Sequence, residues 1–196
     1  VSMATVDAQR LAHQAYASGD LATALTALET ALETDPGDPA VRNNLAQVMI
    51  RMGRTEDALP HLDEAVRADD TRWEYRFNRA RALGLLNRWP DAVREYRAAA
   101  QIFPGDHATL YNLGLALMRV SDYPAAVTAL EQAVTLAPDQ HDFLISLGTA
   151  SLGARQSGRA RAAFERFLEL APGHAEAPRV QTLLRGLAEA EPESQP

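Results

Sequence analysis

Residues 107–140 read HATLYNLGLALMRVSDYPAAVTALEQAVTLAPDQ, and this stretch decides the fold. Leu110, Leu113, Gly114 and Leu117 stand at i, i+3, i+4 and i+7, the spacing that gathers side chains on one stripe of a helix. Ser121-Asp122 interrupts the stripe. Pro124 then suits the first turn of a second helix, where its missing N–H would be unpaired in any case. Ala126, Leu130, Ala133 and Val134 share one side of that second helix, and Pro138 helps to stop it. The stretch is therefore a helix–turn–helix hairpin. Alone, it could not bury its apolar face.

The same hairpin recurs along the chain. Ala24, Ala58, Ala92, Ala126 and Ala160 stand 34 residues apart without a slip. Large side chains keep the register at Leu28, Leu62, Tyr96, Leu130 and Phe164, and small ones at Ala31, Ala65, Ala99 and Ala133. Proline falls at 36, 104, 138 and 172, with Asp70 in the remaining slot. A fixed period of this length means a stacked helical array, in which each unit covers its neighbour. The units are 5–38, 39–72, 73–106, 107–140 and 141–174, preceded by a short tail at 1–4.

The pattern closely resembles the tetratricopeptide repeat family: a large apolar residue at repeat position 4, Leu-Gly at 7–8, an aromatic at 11, alanines at 20 and 27, an aromatic at 24 and proline at 32. The resemblance spans residues 5–174 and implies an all-α, right-handed superhelical solenoid of five hairpins whose first helices line a concave groove. Several positions depart from it. Arg76 and Arg79 replace apolar residues at positions 4 and 7 of the third unit, and Pro60 sits inside a second helix, where distortion is expected. Phe167 takes the small position 27 of the fifth unit, which implies that something irregular follows. Val180, Leu183, Leu184 and Leu187 make one apolar stripe, read as a capping helix over 175–190, and 191–196 reads as a disordered polar tail.

In the family the groove is lined by first-helix positions 2, 5, 6, 9, 12 and 13. Position 6 carries Asn44, Asn78 and Asn112, a ladder of carboxamides able to donate to and accept from an extended peptide backbone; the alternative is that these asparagines assist packing between repeats. Position 5 runs from Asn43 to Phe77 and Tyr111, so the lining turns from polar to apolar along the chain. Gln47, Leu115 and Met118 complete it, and Gly84 is expected to leave a notch between Ile50 and Met118. Arg51, Arg81 and Arg119 cluster in the same lining and suit carboxylates. The implied partner is a protein or peptide segment with acidic and apolar side chains. A chaperone carboxylate clamp would need basic residues where this chain has Gln9, Glu74 and Asn78, or their equivalents one or two units on, and no register fits.

The totals narrow the function further. The chain has 196 residues, no cysteine, and a net charge of −7 with arginine as its sole strong base, a bias that suits a high-GC bacterial genome. That charge argues against nucleic acid and anionic membrane, and no apolar run is long enough to span a bilayer. A cytoplasmic location is expected, or a periplasmic or anchored one if a leader precedes residue 1. His107 and His141 share position 1 of successive units, too far apart to share a metal, and neither has a ligand three or four residues away. No cofactor, metal or catalytic residue is expected, so the chain reads as a non-enzymatic interaction scaffold. Self-assembly through the groove or cap, and a role as the regulatory or targeting piece of a larger enzyme, are the alternatives.

Overall fold

The computed structural model describes residues 3–190, so the tail expected at 191–196 lies outside the described residues. At the other end Met3 and Ala4 already belong to the first helix, which shortens the tail expected at 1–4. The described residues form helices α1 (Met3–Ser18), α2 (Leu21–Thr34), α3 (Pro39–Arg51), α4 (Thr55–Ala68), α5 (Trp73–Leu85), α6 (Trp89–Ile102), α7 (His107–Arg119), α8 (Tyr123–Leu136), α9 (His141–Gly153), α10 (Ser157–Leu170) and α11 (Ala177–Ala190). They divide into two units, α1–α6 ending at Phe103 and α7–α11 beginning at Pro104. Among the described residues no helix is long and apolar enough to cross a membrane.

One backbone device closes every hairpin. Gly19, Gly53, Asn87, Ser121 and Arg155 all have φ between 58° and 84°, the left-handed conformation that ends a helix. The residue after each donates its N–H five residues back, as from Asp20 to the Ala15 carbonyl at 2.8 Å and from Gln156 to Ser151 at 2.8 Å. Orphan carbonyls of the first helix are thereby satisfied, and the chain reverses in two residues after α1 and in three after α3, α5, α7 and α9. The second helix starts at once, and Asp20 and Asp122 cap it by accepting from the Thr23 and Ala125 amides. Pro60 does not break α4, which runs unbroken from Thr55 to Ala68.

In the first unit, α1–α2, α3–α4 and α5–α6 pair as hairpins, and α2 packs on α3 and α4 on α5. Ala24, Leu28, Ala31, Leu45, Ala46, Ala58 and Leu62 form the dry interior. The alanines are fully enclosed because helices approach closely only where side chains are short. Arg76 and Arg79, partly buried on α5, would be costly if unpaired. Instead Arg79 bridges Asp63 on α4 (2.7 Å) and Glu95 on α6 (2.9 Å), while Arg76 reaches the other Glu95 oxygen at 3.3 Å. Four charges thus join three helices, with Arg79 at a position where the other units carry Leu11, Leu45, Leu113 and Leu147.

In the second unit, α7–α8 and α9–α10 pair, α8 packs on α9, and α11 packs on α10. The Leu-Gly motif has a direct steric cause. A Cβ on Gly114 would stand 2.5 Å from the Leu130 side chain, and one on Gly148 only 2.3 Å from Phe164. Phe167 is wholly buried in a cluster with Ala177, Val180, Leu183, Leu184 and Leu187, so the oversized residue is what α11 covers. Helix α11, over Ala177–Ala190 where a stripe was expected over 175–190, thus packs on α10.

Candidate functional site

The first helices of the first unit enclose a cleft of about 230 Å³ between α1 and α3. Gln9, Ala12, His13, Tyr16, Asn44, Gln47 and Val48 line it, with Leu28 of α2 behind them. Two turns of α1 and about one of α3 supply its lining, because positions three and four apart share a face. Arg51 closes one end: its Nη1 donates to the Tyr16 carbonyl at 2.9 Å and its guanidinium lies 4.4 Å above the Tyr16 ring. At the other end Gln9 Nε2 reaches Asp38 Oδ2 at 3.4 Å, while Asp38 also caps α3. The cleft has an apolar floor, three carboxamides and a half-buried aromatic wall. Asn44 and Gln47 stand where the repeat register puts them; the register placed Leu28 among the large core residues, and His13, at position 9, was not singled out by it.

The asparagine ladder takes a different form. Asn44 is exposed, but Asn78 is only 7% exposed and its Nδ2 donates to Asn43 Oδ1 at 2.9 Å. Asn43, 6% exposed, donates in turn to Asn44 Oδ1 at 3.3 Å. Within this unit Asn78 and Asn43 hold α5 to α3, the kind of packing contact that the alternative reading of these asparagines describes, while Asn44 is exposed. A buried amide without such a partner would be costly. In the second unit Asn112 spends its Nδ2 on the Ala108 carbonyl, 2.8 Å away on its own helix.

The remaining expected residues divide between packing and surface. Phe77 is half-buried, edge-on to Trp73 (6.2 Å) and Tyr96 (5.6 Å), and burial pushes the Tyr96 phenol up to about 12. Arg81 is exposed on α5. The expected notch at Gly84 is filled: a Cβ there would meet the Trp89 ring at 3.0 Å, and Gly84 is buried. Tyr111 stacks on Phe143 at 4.3 Å and accepts from Ser146 at 3.3 Å, a contact between α7 and α9. Leu115 and Met118 are half-buried on α7, and Arg119 is exposed at its end. His141, which has no ligand three or four residues away in sequence, has the His174 ring 4.8 Å away, 33 residues along the chain.

Models of the tetratricopeptide repeat match residues 15–83, 73–98 and 111–175. No curated protein sequence matches the chain. Solved structures are similar at low identity. A crystal structure of MamA protein is 20% identical, with 98% of each chain covered and a TM-score of 0.78. The pilF protein of Pseudomonas aeruginosa is 20% identical over 95% of this chain and 88% of its own, with a TM-score of 0.79. YrrB, described as a TPR protein with an unusual peptide-binding site, is 16% identical over 87% and 88%, at 0.77. At these identities the likeness shows the fold. Taken with the three matching repeat models and the hairpins described above, it places the chain in the tetratricopeptide repeat (TPR) family.

Proposed function

We propose that the cleft between α1 and α3 receives a short segment of a partner protein. The broad role, a protein-interaction scaffold, comes with the family and fold. What carries the finer reading is the composition of the cleft: Gln9, Asn44 and Gln47 offer donors and acceptors around a floor of Leu28 and Val48. Carboxamides can pair with any peptide backbone, while an apolar floor selects a side chain. Arg51 and the exposed Arg81 favour a segment that carries acidic as well as apolar residues. The peptide-binding site named in the description of YrrB supports the class of ligand.

Random peptides displayed against the chain test this. The expected selection is enriched in acidic and apolar residues and binds at least tenfold more weakly, by fluorescence anisotropy, to the triple variant His13→Ala, Asn44→Ala, Gln47→Ala. Equal affinity for the variant, or no selected peptide at all, would overturn the assignment.

A further inference from the structure

The last hairpin and the capping helix bring together three metal-ligating side chains that the cleft does not use. His141 opens α9, Asp142 follows it, and His174 lies in the turn between α10 and α11. His141 Nδ1 stands 3.1 Å from Asp142 Oδ1, His174 Nε2 stands 3.9 Å from the same oxygen, and all three donor atoms lie within 4.8 Å of one another. Zinc bonds of about 2.0–2.1 Å place neighbouring tetrahedral donors roughly 3.3 Å apart, so these separations need only a small closure.

Both rings are held before any ion arrives. They lie edge-on to the wholly buried Phe167, at 6.3 Å for His141 and 5.4 Å for His174. The His174 backbone is pinned on both sides, its N–H donating to Ala171 at 3.1 Å and its carbonyl accepting from Ala177 at 2.9 Å. Much of the ordering that a flexible ligand set would require is already in place. The side chains keep 42%, 62% and 30% of their exposure, so water can fill the remaining coordination positions.

We propose that His141, Asp142 and His174 form a surface site for a divalent transition-metal ion, with zinc as the probe. Two imidazoles and one carboxylate suit zinc, nickel or copper, whereas calcium and magnesium take oxygen donors. The carboxylate also offsets the positive end of the α9 dipole. Two hydrogen bonds must change. His141 Nδ1 donates to Asp142 Oδ1 at 3.1 Å, and coordination through Nδ1 moves that proton to Nε2. His174 Nδ1 accepts from the Glu176 N–H at 3.2 Å, so the neutral ring carries its proton on Nε2. Coordination through Nε2 moves that proton to Nδ1 and releases the Glu176 amide. The ion thereby joins α9 to the turn that leads into α11.

Titration of zinc into the untagged, chelator-treated chain, followed by calorimetry and amide NMR, is the test. One ion per chain is expected, with the Glu176 amide among the resonances that move most. His141→Ala and His174→Ala should each weaken binding at least tenfold, and Asp142→Asn, at an exposed position that the fold does not need, should weaken it severalfold. His107→Ala should bind as the parent does, and calcium should give no saturable signal. Metal-free melting of each variant reports folding, and Asp142→Asn keeps the test valid if a histidine variant unfolds. Absent saturable binding, undiminished affinity in the histidine variants, or an unmoved Glu176 amide would each overturn the site.

Discussion

Gly148→Ala probes the packing that builds each hairpin. The added methyl would lie 2.3, 2.6 and 2.7 Å from Phe164 ring carbons, against a contact optimum of about 3.5–4.0 Å. Phe164 is 0% exposed and stiff, so neither partner can yield without moving a helix. Overpacking of this kind costs about 1–3 kcal/mol, while exchange of glycine for alanine inside a helix returns about 0.5–1 kcal/mol. The net expectation is a loss of about 1–2 kcal/mol, or a melting temperature lower by about 2–8 °C for a chain of this size. Gly186→Ala supplies the control. It lies inside α11 with nothing within 4 Å of its Cβ position, so only the propensity gain applies and Tm should rise. Calorimetry on both variants separates the two effects. If Gly148→Ala melts at or above the Gly186→Ala variant, the steric account of the Leu-Gly motif is wrong.

Asn78→Ala should cost about 1–3 kcal/mol in urea unfolding because it strands the buried Asn43 Oδ1, whereas Asn44→Ala, which removes only the longer 3.3 Å acceptor at an exposed position, should cost less than about 1 kcal/mol; equal midpoints would contradict the buried link. Glu95→Ala should cost about 2–4 kcal/mol by leaving Arg76 and Arg79 without their shared partner, and Asp7→Ala, whose pair with Arg10 is well exposed, less than about 1 kcal/mol. Burial, and then the Arg42 charge, hold the His61 imidazole below its ordinary 6.5. The folded chain therefore binds that proton less readily than the unfolded chain, so the stabilisation is complete above pH 6.5 and is lost as pH falls through the lowered value. His61→Gln should flatten the acid side of a stability–pH profile, and an unchanged slope would refute it.

The repeat register was legible because its signals are local and redundant. Alanine at 24, 58, 92, 126 and 160, a large partner four residues on, and a break before each second helix all state the same period. The left-handed residues at 19, 53, 87, 121 and 155 obey it too, yet only two of them are glycine, so residue type alone hid the turn. Side-chain destinations were less legible. Position 6 says which face Asn78 occupies, but not that Asn43 of the preceding hairpin would take its amide. Gly84 reads as a gap until Trp89 is seen lying over it.

Periodicity, then, determined by itself that the chain is helical, that it folds in hairpins, and that their apolar faces must stack, since those follow from spacing along one polymer. Tertiary structure decided which polar groups are spent inside and which remain for a partner. It joined Asn78 to Asn43, gave Arg76 and Arg79 the carboxylate of Glu95, and brought His174 beside His141. Such pairings depend on the distance and rotation between neighbouring helices, which the volumes of side chains at the contact set.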